Sequence, residues 1–209
     1  STGPQSEYPA TGAPYGPDFP EISIADIVDA EALLLDHLGV GQLAAIVGYS
    51  YGGYLTFQWG VRHPQRMRAL IPVASRPQGS GGAAAVAALE ANFSKAEGWN
   101  DGRHYGSEAV FEAVRDYRAK TLRNNGMEQG LLAETGGDAK EASRILVDRA
   151  SDWARQFDPN SLIALRRANT RFDVMSEMSN IVAPMLYVLC STDNLFPAAF
   201  GPERSDWFR

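Results

Sequence analysis

Gly48-Tyr-Ser50-Tyr-Gly52-Gly53 sets a serine between glycines at G-x-S-x-G spacing. A serine hydroxyl becomes a useful nucleophile when the backbone presents it beside a base, and small neighbours let the chain turn sharply enough to do so. An apolar run at 43–47 precedes the motif and a helix-like stretch from about Gly52 to His63 follows it, which places Ser50 at a strand–turn–helix junction. The first amides and the dipole of that helix favour a developing anion, and the N–H of Tyr51 is the expected oxyanion donor. A carboxylate able to orient an imidazole follows at Asp193, just past an apolar run at 185–190. Nucleophile and acid come in a workable order. The base does not: His37, His63 and His104 all precede Asp193, and each reads as a surface or capping residue.

Several elements must position these groups. Ser23 and Asp26 form a capping-box start, with Ile24, Ile27, Val28, Leu34, Leu35 and Leu38 at helical spacing and Gly39 as the stop. The 43–47 run reads as a buried strand, Pro64 ends the helix after Ser50, and 69–74 reads as a second strand weakened by Pro72. A Gly- and Ser-rich hinge at 77–82 opens a helical stretch that runs to about residue 170, and strand character returns only at 185–190. Strands alternating with helices imply a parallel α/β sheet, and the helical stretch implies a cap inserted into it. The domain reading is therefore 1–79 for the core with its elbow, 80–170 for the cap, and 171–209 for the return to the core with the acid loop. Residues 1–20 read as loop, with Tyr8, Tyr15 and Phe19 available to pack on a neighbouring surface.

Composition excludes several other classes. In 209 residues, 19 Lys+Arg face 25 Asp+Glu for a net charge of −6, the wrong sign for binding nucleic acid. No apolar stretch is long enough to span a bilayer. The histidines are scattered and Cys190 is alone, so neither a metal site nor an internal disulfide is expected, and Cys190 reads as a small buried residue on a strand in a reducing compartment. Because residue 1 is Ser, an earlier start, and any leader with it, lies outside this reading.

With these motifs in view, the sequence resembles the homoserine O-acetyltransferase family of α/β-hydrolase-fold enzymes. The likeness rests on Pro9-Ala-Thr-Gly12 and Pro14-Tyr-Gly-Pro-Asp-Phe-Pro20 in the opening loop, and on Leu33-Leu-Leu-Asp-His-Leu-Gly39 in the first helix. It continues through the elbow, Phe157-Asp-Pro-Asn-Ser-Leu162, Phe172-Asp-Val174 and the acid loop Thr192-Asp-Asn-Leu-Phe-Pro197. The resemblance implies a cytoplasmic enzyme, often a homodimer joined through the cap, with no bound cofactor and acetyl-CoA as co-substrate. Acetyl passes to Ser50 and then to a hydroxyl acceptor, with Asp193 as the acid. Arg115 and Thr121-Leu-Arg123 match a family Arg and a Thr-Tyr-Arg element, which implies that Arg115 meets the acceptor's carboxylate.

Two departures stand out. The elbow reads GYSYGG where the family usually has GGSMGG, so two tyrosines are expected to crowd the serine, and Leu122 replaces the Tyr of Thr-Tyr-Arg. They leave open a carboxylic-ester hydrolase, which needs the same nucleophile, acid, base and oxyanion donor, or a non-catalytic remnant. The family's opening strands, second oxyanion donor and histidine segment have no counterpart here. These residues alone are therefore expected to lack turnover and to expose a sheet edge.

Overall fold

The computed structural model describes residues 2–197, so Ser1 and the 198–209 end of the 171–209 segment lie outside the described residues. The chain forms two compact units. One joins Ile22–Gly82 to Arg167–Arg209, and the other joins Ser1–Glu21 to Ala83–Arg166. The opening loop thus belongs with the helical stretch, whereas the sequence reading grouped it with the strands.

In the strand-bearing unit, α1 (Ile24–His37) starts with the expected capping box. The Ser23 hydroxyl accepts from the Asp26 N–H at 3.1 Å, and the Asp26 carboxylate accepts from the Ser23 N–H at 2.7 Å. Strand β1 (Ile46–Tyr49) leads through Ser50 into α2 (Tyr51–Arg62), and β2 (Leu70–Val73) returns parallel to β1, with Ile46 opposite Leu70 and Tyr49 opposite Val73. The Arg62 guanidinium grips both oxygens of Asp29, which ties the end of α2 to α1. Two apolar clusters fill the face between sheet and helices: Val28, Trp59, Met67 and Leu70 in one, Tyr54, Phe57, Phe172 and Met178 in the other.

Pro72 does not end β2, but it costs the sheet a third regular strand. Leu70 donates to Pro184 O and Ala74 to Val188 O, so the residue between them faces the 185–190 segment and should donate to Leu186. Proline has no N–H to give. The segment is joined only by isolated bridges, Leu70 with Met185 and Val73 with Val188, while its side chains still alternate in and out. That alternation corrects two expectations. Cys190 falls on the outward set and is exposed rather than buried. The run at 43–47 becomes a strand only from Ile46, and its outward residues are open, Val47 at 65% and Tyr49 at 72%.

The helical unit holds α3 (Gly82–Glu90), α4 (Glu108–Asn124), α5 (Met127–Glu134), α6 (Ala139–Ala154) and the first turns of α7 (Pro159–Thr170). Ser107 caps α4 and Asp138 caps α6 through their side-chain oxygens, as their residue types favour. Leu122, Leu131, Leu146 and Ala150 pack α4, α5 and α6 together. In the opening loop, Tyr15 packs between Tyr8, with its ring tilted, and Phe19, edge-on.

The capping box yields a pH-dependent prediction. Hydrogen bonds from the Ser23 hydroxyl and backbone hold the Asp26 carboxyl below its usual 3.8. Its stabilisation is therefore complete above that value and lost as pH falls through the lowered folded one. Asp26→Ala should cost about 1 kcal/mol at neutral pH, with the gap to the unchanged protein closing only in strong acid. Urea unfolding across pH measures it.

Candidate active site

The elbow forms where β1 runs into α2 (Ile46–Tyr49 into Tyr51–Arg62), and its serine is strained. Ser50 sits at φ 54° and ψ −112°, a conformation that costs a non-glycine residue on the order of 1–3 kcal/mol. Serine at a helix N-cap normally spends its hydroxyl on an amide of the first turn. Ser50 does not, and its side chain makes no hydrogen bond among the described residues. Its backbone holds the turn instead: the Ser50 N–H donates to Val73 O at 2.9 Å, and Ser50 O accepts from the Gly53 N–H at 2.9 Å. Strain and an uncommitted hydroxyl together describe a group held ready to react.

Close approach explains two of the three glycines. A Cβ on Gly48 would collide with the Gly52 carbonyl, and one on Gly53 would collide with the Ser75 side chain. A Cβ on Gly52 would meet open space. The spacing G-x-S-x-G thus names one glycine that sterics require and one that they do not.

The two tyrosines separate. Tyr49 stands out on the open face of β1, so it does not crowd the elbow as expected. Tyr51 packs edge-on against Tyr54 at 5.9 Å between ring centres, and burial pushes its phenol well up, so the ring serves as an apolar wall. Its N–H opens α2, where the helix dipole is most positive.

Asp193 lies in the same unit, past the 185–190 segment, at the carboxyl end of the parallel strands where Ser50 also lies. Its Oδ1 accepts from the Leu195 N–H at 2.7 Å and the Phe196 N–H at 3.0 Å. These bonds fix the carboxylate in an Asx turn, and Oδ2 has no hydrogen bond among the described residues. Between these two groups, β2 ends on Ala74 at φ 45° and Ser75. Ser75 is fully buried, its hydroxyl has no partner among the described residues, and its carbonyl accepts from the Tyr187 hydroxyl at 2.6 Å. No sequence motif marked Ser75 or Tyr187, because their place beside the elbow comes from tertiary packing alone.

Neither histidine of the strand unit reaches Ser50. His63 is the C-cap of the helix that Ser50 starts, about 18 Å away at 1.5 Å per residue. His37 ends α1 beside Asp36, whose ion pair with Arg66 at 2.9 Å sets it near the entry to β2, at the other end of the strands. His104, in the helical unit, is neither surface nor cap: it is buried and its Nε2 lies 3.1 Å from Asp158 Oδ1. Arg115, on α4, is held by Asp116 at 2.9 Å and lies 3.7 Å from Glu112, both on its own helix. Leu122, in the Thr-Leu-Arg element, is core. Among the described residues no cluster of His, Cys, Asp or Glu is arranged to hold a metal.

Strand, strained serine turn, helix and parallel return strand together define the α/β-hydrolase fold, and the chain belongs to that family, whose pattern matches residues 1–208. Within it, the chain resembles the homoserine O-acyltransferases. It is 30% identical to the homoserine O-acetyltransferase of Desulfotalea psychrophila over 94% of its own length and 56% of the relative's. It is 31% identical to the homoserine O-succinyltransferase of Marinobacter nauticus over 99% of its length and 59% of that protein's. Among solved structures it is similar to esterase E22, with a TM-score of 0.80 and 26% identity, covering 99% of this chain and 62% of that one. The chain thus spans little more than half the length of these transferases.

The glycine geometry makes a prediction. Gly48→Ala and Gly53→Ala should each destabilise by about 2–4 kcal/mol through forced backbone and side-chain shifts, while Gly52→Ala should be neutral or gain up to about 1 kcal/mol. Ser50→Gly should stabilise by about 1 kcal/mol as the positive φ becomes unstrained. Thermal melts of the four variants test this ordering.

Proposed function

We propose that Ser50 is the nucleophile of an acyl transfer from acetyl-CoA to a hydroxyl acceptor. The observation that carries the reading is the strained Ser50 with an uncommitted hydroxyl at the start of a helix. Ser50 Oγ attacks the thioester carbonyl carbon, its proton passes to a base, and CoA leaves as the thiol after taking a proton back. The acceptor oxygen then attacks the acyl-serine, giving the product ester and restoring the Ser50 hydroxyl. In this reading the Tyr51 N–H steadies the tetrahedral oxyanion, and Asp193 Oδ2 orients the imidazole of the base. The base is a histidine supplied by polypeptide beyond these 209 residues, since His37 and His63 lie at the wrong end of the strand unit and His104 belongs to the helical unit. Arg115 binds the acceptor's carboxylate once that anion displaces Asp116. The enzyme works in the cytoplasm, as a homodimer joined through its helical unit. Both acetyl and succinyl transferases are among the relatives, so the acyl group is the least constrained part of this reading.

A second reading, carboxylic-ester hydrolysis with water in place of the acceptor, is favoured by the likeness to esterase E22. In the full-length protein, CoA release that depends on an added amino-acid alcohol supports transfer, and acetate release without one supports hydrolysis. Ser50→Ala should lower either rate about 10⁶-fold. The 209 residues alone should show no turnover above the Ser50→Ala background, and Ser50-dependent hydrolysis of an activated acetate ester by them would refute an external base.

A further inference from the structure

The helical unit contains a cleft of about 300 Å³. Its floor is apolar, made by Val110, Phe111 and Val114 of α4 and by Phe157. One wall carries the buried pair His104 and Asp158, and the rim carries Gln5 and the exposed Glu108.

The polar wall is almost fully satisfied, and the exception is informative. Asp158 is 3% exposed and lies within hydrogen-bond distance of three donors: His104 Nε2 at 3.1 Å, the Asn160 N–H at 2.9 Å and the Tyr105 hydroxyl at 3.0 Å. When Nε2–H is turned to this carboxylate, a neutral imidazole carries its lone pair on Nδ1. Stacking on Trp99, 5.4 Å between ring centres and 5° between planes, fixes the ring's orientation. Nδ1 has no hydrogen-bond partner among the described residues, and His104 lines the cleft. Ser107, by contrast, is spent: its hydroxyl donates to Glu97 O and caps α4. On its buried wall the cleft therefore offers one unpartnered acceptor above a hydrocarbon floor, with carboxylates and no Lys or Arg among its described lining groups.

We propose that this cleft binds a small neutral alcohol with an aromatic or hydrocarbon body, its hydroxyl donating to His104 Nδ1. An isostere without the hydroxyl leaves Nδ1 unpaired and binds more weakly. A carboxylate meets Glu108 and Asp158 and is rejected. The proposal does not rest on the chemistry of Ser50.

The probes are benzyl alcohol, toluene and benzoate, titrated into the isotope-labelled protein and followed by amide shifts in NMR. Benzyl alcohol should bind about tenfold more tightly than toluene, a difference of about 1.4 kcal/mol, with shifts centred on 104–114 and 154–159, and benzoate should show no saturable shift. His104→Phe should erase the preference for the alcohol while toluene still binds. If that variant fails to fold, Glu108→Lys at the exposed rim serves instead and should admit benzoate without weakening benzyl alcohol. Equal binding of alcohol and toluene, benzoate binding to the unchanged protein, or shifts centred elsewhere would overturn the proposal.

Discussion

The structure turns on the approach of one helix turn to two strand ends. At Gly48 and Gly53 there is no room for even a methyl group, because the Gly52 carbonyl and the Ser75 side chain occupy that space. This contact forces the chain to reverse within one residue, and that residue is Ser50 at positive φ. Strain and an uncommitted hydroxyl thus share one cause. A looser junction would let Ser50 relax into an ordinary N-cap, and its hydroxyl would then bond to its own helix. Packing of Tyr54, Phe57 and Trp59 against the sheet anchors α2 firmly enough to keep the turn tight.

The same sheet shows what one missing N–H can do. Pro72 sits in the middle strand with its ring toward the 185–190 segment, which it leaves held by bridges on either side of the gap. The bonds that remain are enough to carry Asp193 to the end of the sheet where Ser50 lies. On the outer face, Val47, Tyr49, Leu186 and Val188 remain open among the described residues, although parallel sheets are normally covered on both sides. Apolar runs in the sequence anticipate such two-sided burial, which is why 43–47 and Cys190 read as buried and were found half in solvent.

What the sequence made legible was whatever local chemistry dictates. Ser23 and Asp26 read as a capping box because that bond pattern closes within four residues. Helix α2 and the turn at Ser50 were equally plain, since glycine spacing and an apolar run are local signals. Ser75 and Tyr187 were invisible: their bond spans more than a hundred residues, and neither belongs to a recognisable pattern. His104 misled for a related reason. Its partner, Asp158, is remote in sequence, and a lone histidine gives no sign that a buried carboxylate awaits it.

Asp193 illustrates how one carboxylate can both shape a loop and leave capacity for chemistry. Two backbone amides on Oδ1 lock its position, so it needs no histidine to stay in place. An ionised carboxylate accepts on both oxygens, and Oδ2 therefore keeps its full capacity for an imidazole N–H. For the proposed acyl transfer such prior fixation matters, because a triad acid has to hold its base in one tautomer and orientation, and a carboxylate still searching for its own rotamer would do so poorly. The order of assembly follows from these bonds. Ser50 and Asp193 are each set by contacts to their own backbone surroundings, so under the proposed acyl transfer a base would add without rearranging either. In that proposal only the identity of the attacking oxygen, from an alcohol or from water, is left to groups outside the elbow.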